Sequence, residues 1–419
     1  MILNAKKTFT LLFGIVLLSQ IYVHSFKINI LLQLVVLSFV IFFTKSTISR
    51  TFIGIASPLF LMLFLGFLAT TINGSGLVTI VKDFMHFIKP LVGVLLGYFI
   101  FKQVNDFRIF IKTIILAAFV CSVVHILKII IFASPDESVN ELRTNGLDNF
   151  LELFALFFIF YTPKLFQEPL FKKKTHLKAI KFLLILSCVL YFSRTMMVVY
   201  GIISLSIYGY TKLTAKGLRA IGIAILAMGL FYGYLYSIKI DRSGHGLEAF
   251  LYKIKNAPAE LFKTRIDREN HADLWDHWRG YEAKRAYALM VGKPYSYVIG
   301  TGFGSLVNLK FKAPLGDSKD GMRYISELHN GYAYLIYKTG FLGLLLVLYF
   351  IKKLYQFVYK IPQNEQHAFQ LKIISGIALV YVFTTLTITG IYNFGDTIIF
   401  ILGGFIAFSE HNKPQISQI

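Results

Sequence analysis

His329-Asn330-Gly331-Tyr332-Ala333-Tyr334-Leu335-Ile336-Tyr337-Lys338-Thr339-Gly340-Phe341-Leu342-Gly343 marks the point where a long hydrophilic segment gives way to an apolar run that continues to Ile351. A titratable imidazole at such a junction can face water while its backbone is held by a membrane helix. Chemistry at a membrane surface is to be expected there.

The rest of the chain makes the bilayer its main solvent. Of 419 residues 56% are hydrophobic and 16% charged, and the mean hydropathy is +0.62. The apolar residues come in blocks, not in one-sided stripes. About twelve blocks approach the roughly 20 residues that an α-helix needs to cross a bilayer core: residues 8–23, 28–43, 52–72, 77–101, 109–132, 150–161, 179–192, 195–210, 220–236, 332–351, 373–391 and 397–408. Several are short, so ten or eleven crossings also fit. A membrane barrel would alternate apolar and polar side chains, and these blocks do not. The fold class expected is an all-α polytopic membrane protein, divided into helices over 1–236, one large loop over 237–328, and three further helices over 329–419.

Charge sets the orientation. With Lys6 and Lys7 on the cytoplasmic side, the inside loops 45–50, 102–108, 164–178, 212–219 and 352–372 are all rich in Lys or Arg. The outside turns near Gly74, Arg143 and 393–396 are poor in them, as the positive-inside rule requires. Both termini come out cytoplasmic. The net charge of +21 is thus largely a topology signal, and the basic loops should lie against anionic membrane lipid. No nucleic-acid partner is expected. The basic start followed by an apolar run mimics a signal peptide, but no small-residue cleavage site follows, so it reads as a first transmembrane helix. Cys121 and Cys188 fall inside apolar blocks, as core residues.

The loop 237–328 is long enough for a small folded unit. Leu247, Phe250, Leu251 and Ile254 share one helical face; that helix lies either in the head-group layer or on the rest of the loop. Trp275-Asp-His-Trp-Arg279-Gly-Tyr-Glu282-Ala-Lys-Arg285 reads as one helix, with Arg279 and Glu282 placed for an i, i+3 ion pair. His271, Asp273, Asp276 and His277 offer metal ligands but match no recognised metal motif. Gly300-Thr-Gly302-Phe-Gly304 lacks the context of a nucleotide loop and reads as a turn. Gly340 and Gly343 read as small residues that let neighbouring helices approach.

Arg194, in Leu190-Tyr-Phe-Ser-Arg194-Thr, sits between two apolar blocks, where a central arginine costs roughly 2.5–3.5 kcal/mol. It needs a partner, or it snorkels to the interface. A fixed guanidinium at that place suits a diphosphate, held bidentately. Lys82, Asp83, His86 and Lys89, ahead of Pro90, form either a polar strip near the outer surface or interfacial anchors.

Four features together resemble the O-antigen ligase and polymerase superfamily of bacterial envelope enzymes, a GT-C-like group. They are the Ser193-Arg194 turn, the arginine-bearing helix from Trp275 to Arg285, the Pro294 to Gly304 stretch with its Gly-x-Gly, and His329-Asn330 with nine residues before Gly340. The resemblance covers about the C-terminal half. It implies transfer of a glycan from an undecaprenyl diphosphate carrier to a hydroxyl at the periplasmic face of the inner (plasma) membrane, without metal or other cofactor. His329 would activate the acceptor hydroxyl, and Arg194 and Arg279 would hold the diphosphate. Asn330, Arg143 and Arg285 are accessory candidates, and Arg268 and Arg285 compete with Arg279 for its place in the motif. The acceptor would be either another carrier-linked glycan, as in a polymerase working with a chain-length regulator, or lipid A core, as in a ligase. The absence of a recognisable lipid A core-binding element leans towards polymerase. An exporter of lipid-linked glycan is the competing class; it would place ionisable residues on broken helices at mid-membrane.

Overall fold

The computed structural model describes residues 5–44, 47–132, 150–242, 247–267, 270–315 and 321–411. Arg143 and Arg268 lie outside them. Among the described residues, nine long helices precede the loop: α1 Ala5–Tyr22, α2 Phe26–Phe43, α3 Arg50–Asn73, α4 Leu77–Val104, α5 Phe107–Phe132, α6 Phe150–Leu165, α7 Lys174–Leu190, α8 Arg194–Ile207 and α9 Ala215–Ser237. Three follow it: α14 Gly331–Tyr355, α15 Glu365–Ile388 and α16 Ile398–His411. Each corresponds to one apolar block. Seven of the described helices are long and apolar enough to cross a membrane, and α8 and α16 are shorter apolar helices. The chain is a mostly helical, multi-pass membrane protein.

Contacts between distant residues sort the helix ends into two groups. At one end, Lys6 pairs with Asp106 at 2.8 Å, and the Tyr98 hydroxyl donates to Glu410 at 2.8 Å. Ser49 also donates to Glu410. At the other end, Lys293 donates to Asn73 at 3.0 Å and Lys82 pairs with Glu327 at 3.2 Å. The first group gathers both described ends of the chain at the basic end of the bundle. The second gathers the loop. This is the two-ended arrangement that the charge pattern predicts.

Helix α16 is the centre of the bundle, with every residue from Ile398 to Phe408 buried. It reaches that position through small residues. A Cβ on Gly97 would meet the Phe400 carbonyl and, at 2.9 Å, the Gly404 amide, and one on Gly403 would meet the Val94 carbonyl. Such close backbone approach supplies van der Waals contact that lipid chains cannot. At the periphery, α9 leaves Ile223, Ile225, Leu226 and Leu230 exposed, which is the surface a lipid-facing helix presents.

The described residues of the loop form four helices and a strand pair: α10 Leu247–Phe262, α11 His271–Asp276, α12 Trp278–Met290, α13 Ser296–Ile299, β1 Val307–Ala313 and β2 Met322–Ile325, the strands antiparallel. The strand pair corrects the expectation of a purely α-helical chain. Its burial alternates only weakly along seven residues of β1, too short a signal to read against the helical background. The single helix expected over 275–285 is also two helices, interrupted at His277.

A Gly97→Val variant should lose about 1–3 kcal/mol from overpacking, whereas Gly54→Val, where a Cβ meets nothing within 4 Å, should be neutral. Thermal unfolding of the two proteins in detergent, followed by size-exclusion chromatography, checks the contrast.

Candidate functional site

The floor of the site is a break in α14. Gly340 has φ +67° inside that helix, a conformation open to glycine at no steric cost. The freed backbone is taken up by the glycine loop: the amides of Thr301 and Gly302 donate to the carbonyls of Tyr337 at 2.8 Å and Lys338 at 2.9 Å. Gly300, Gly302 and Gly304 also have positive φ. A Cβ on Gly340 would run into Val298, and one on Gly300 into Lys338. Gly340 therefore serves the seating of the glycine loop, not helix–helix approach, and Gly343 faces Thr339 of its own helix.

One buried ion pair locks this seat. Lys338 and Asp83, both with no exposed side-chain surface, are in direct contact. Lys338 also donates to the Ser305 carbonyl at 2.5 Å, and Asp83 accepts from the Gly304 amide at 2.6 Å. Of the polar strip on α4, Asp83, His86 and Lys89 are buried and only Lys82 is exposed. Lys89 donates to the carbonyls of Asn393 at 2.7 Å and Phe394 at 2.6 Å, which fixes the turn between α15 and α16. Interfacial anchoring describes Lys82 alone.

Above this floor, α12 carries two groups one turn apart. Arg279 pairs with Glu260 of α10 at 2.7 Å. Glu282, its side chain 1% exposed, accepts from the backbone amide of His329 at 3.0 Å and faces the imidazole Nδ1 at 3.0 Å. The expected Arg279–Glu282 pair is thus replaced by two pairs to other elements. Arg194, the first residue of α8 after its Ser193 cap, also reaches Glu260, at 3.2 Å, and donates to the Lys253 carbonyl. One carboxylate on the amphipathic loop helix therefore bridges both predicted diphosphate-binding arginines. The partner that an arginine among apolar blocks needs is Glu260, and α10 packs against α9 and α12 with Phe250 buried.

Crowding by protein disfavours the charged form of His329, but the hydrogen bond and charge of Glu282 outweigh it and raise the pKa above the ordinary histidine value. Arg279 opposes that rise, so the histidine and the arginine sense one another. With Nδ1 committed to Glu282, Nε2 is the nitrogen left to act on a ligand.

Two cavities meet at Ile388 and Asn393. One, of about 210 Å³, is lined by Arg194, Arg279, Tyr381, Asn393 and Asp396 among others. The other, of about 220 Å³, is lined by His86, Glu327, His329, Tyr334 and Tyr392 among others. Gly331 lets the start of α14 approach the end of α15, since a Cβ there would meet the Thr385 carbonyl at 2.7 Å and Thr389 Cα at 2.8 Å.

The accessory candidates separate. Asn330 caps α14, accepting from the amides of Tyr332 at 3.1 Å and Ala333 at 3.2 Å. Arg285 donates to the Asn308 carbonyl at 3.0 Å, holding the strand pair. In the polar cluster on α11, Asp276 pairs with Arg242 at 2.8 Å and Asp273 with Lys263 at 2.9 Å; among the described residues no group of three or more His, Cys, Asp or Glu could hold a metal ion. Sequence reasoning missed Glu260 as a partner of both arginines, and gave Glu282 the wrong partner.

Residues 179–348 match the family model described as O-antigen ligase. No curated protein matches the chain. The matched segment holds Arg194, Glu260, Arg279, Glu282 and His329, so this part of the chain is similar to the O-antigen ligase family of the ligase and polymerase superfamily. That superfamily consists of glycosyltransferase-like membrane enzymes of polysaccharide assembly.

Replacing Lys338 by Met strands a buried carboxylate and should cost about 3–5 kcal/mol, while Asp83→Asn combined with Lys338→Met should recover most of the loss. Melting temperatures of the wild type, single and double variants provide the comparison.

Proposed function

We propose that the protein transfers a glycan from undecaprenyl diphosphate to a hydroxyl acceptor at the periplasmic face of the bacterial inner membrane. We read it as an O-antigen or exopolysaccharide polymerase that works without metal. The observation that supports this most is the division of charge in the site: two guanidiniums converge on one anion, and beside them a buried carboxylate orients a histidine.

In the resting protein that anion is Glu260. A donor diphosphate replaces its carboxylate between Arg194 and Arg279, with a higher charge and more oxygens for planar, bidentate recognition. Arg194 begins α8, so the positive end of a helix dipole adds to the field. The acceptor hydroxyl passes its proton to Nε2 of His329 as its oxygen bonds to the anomeric carbon. The bond from that carbon to the diphosphate oxygen breaks, and undecaprenyl diphosphate leaves with the electron pair. Glu282 offsets the charge on the imidazolium that forms, and the arginines offset the charge that grows on the leaving group. Such a leaving group is already good enough to depart without Lewis-acid help.

The test is transfer by the purified full chain in liposomes, from an undecaprenyl diphosphate-linked repeat unit, with and without a lipid A core acceptor. Longer carrier-linked chains support a polymerase; product confined to lipid A core would make it a ligase. Wild type that makes neither product would sink the transferase reading.

Within that assay, His329→Ala should lower kcat by about 100-fold or more, the range for removing a positioned general base. Arg194→Ala and Arg279→Ala should each lose about 100-fold, as for other donors aimed at developing negative charge. The pH profile carries its own sign. His329 must be neutral to accept a proton, so kcat/KM rises with pH through its raised pKa and levels above it. In Glu282→Gln the raising influence is gone, and the acid limb should move to lower pH; an unmoved limb would disconnect the pair from the reaction.

A further inference from the structure

We propose that the cavity between His86 and His329 is the acceptor-sugar subsite, and that it takes an uncharged sugar ring. This rests on the transferase reading and extends it to the class of acceptor. Its size suits one ring: sites for drug-sized ligands run to roughly 300–1,000 Å³, and this one is about 220 Å³. Its walls combine flat apolar surface from Tyr392 and Phe394 with polar groups from Glu327, His329 and Asn393, the mixture that a pyranose with one apolar face and a rim of hydroxyls requires.

One observation points to an absent partner, and a second to a wall of fixed shape. Tyr334 lines the cavity and is 1% exposed, yet its hydroxyl has no hydrogen-bond partner among the described residues; a buried hydroxyl left so is costly unless something else satisfies it. His86 is held flat against Phe26, with ring centroids 3.8 Å apart and planes 9° apart, and its Nε2 lies 3.2 Å from Glu327. The wall is thereby built to one geometry.

The charge pattern selects the ligand. Glu327 presents a carboxylate that is 41% exposed. The nearby lysines are already committed: Lys82 to Glu327 and to Ser326 at 3.1 Å, Lys89 to the carbonyls of Asn393 and Phe394, and Lys338 to Asp83. A uronic or other acidic sugar would bring a second carboxylate towards Glu327 with none of these cations available to it. Acidic ligands belong instead to the neighbouring cavity, where Arg194 and Arg279 stand.

The experiment is saturation-transfer NMR on the full chain in nanodiscs, with methyl β-glucoside, N-acetylglucosamine and glucuronate as probes. The two uncharged sugars should receive saturation from wild type and glucuronate much less. The double variant Glu327→Gln, Tyr334→Phe should weaken the uncharged signals about tenfold, equivalent to a tenfold change in Kd. No signal from the uncharged sugars, an equal signal in the double variant, or glucuronate binding as well as glucoside would overturn the subsite. The liposome assay reports separately: selective sugar binding without any transfer would remove the transferase reading and keep the sugar site. Transfer with an acceptor KM unchanged in the double variant would remove the subsite alone.

Discussion

The contact between Asp83 and Lys338 is the constraint on which the site depends. Two ionisable groups with no solvent exposure are placed where α14 breaks, and neither is tolerable there without the other. Asp83 Oδ2 also accepts from the Gly304 amide, and Lys338 also donates to the Ser305 carbonyl. The pair thus does more than neutralise itself: it ties α4 to α14 and draws the glycine loop into the bundle. A loop backbone at that depth is acceptable because its amides find the carbonyls that the helix break releases. The helix kink, the three positive-φ glycines and the ion pair form one mutually dependent unit.

Onto that unit are fixed the elements that carry charge. Helix α12 bears Arg279 and Glu282 one turn apart, so a single rigid body positions a guanidinium in one cavity and orients the histidine of the other. Arg194 comes from the start of α8, and Glu260 from α10 closes the arrangement. Arg194 and Arg279, from different elements, thus meet on one protein carboxylate.

The structure also bears on the exporter alternative. A broken helix and buried ionisable residues are features that transporters use, and both are present here. In this protein, however, the break is filled by the chain's own loop, and the buried pair is consumed by that loop's backbone. Among the ionisable groups that line the cavities, Arg194, Arg279, Glu327 and His329 gather at the loop end of the bundle, beside His86 and Asp396.

Much of this was legible in the sequence. The long described helices stand where the apolar blocks stand, and seven of them are long and apolar enough to cross a membrane, because burial in lipid requires runs of apolar residues whose length the bilayer sets. The grouping of basic loops at one end followed from charge. His329 and Arg194 were marked as exceptions, since ionisable groups beside apolar runs are costly. What the sequence left undecided is which charges meet. Glu260 is 66 positions from Arg194, and Glu282 had a plausible partner three residues away in Arg279, yet it pairs with His329, 47 positions on. Gly340 looked like a helix-packing residue until the loop was seen resting on it. Apolar content and loop charge act locally and along the chain, so composition alone determined the membrane fold and its two ends; ion pairing and backbone seating depend on distances across the fold, which only the tertiary structure decided.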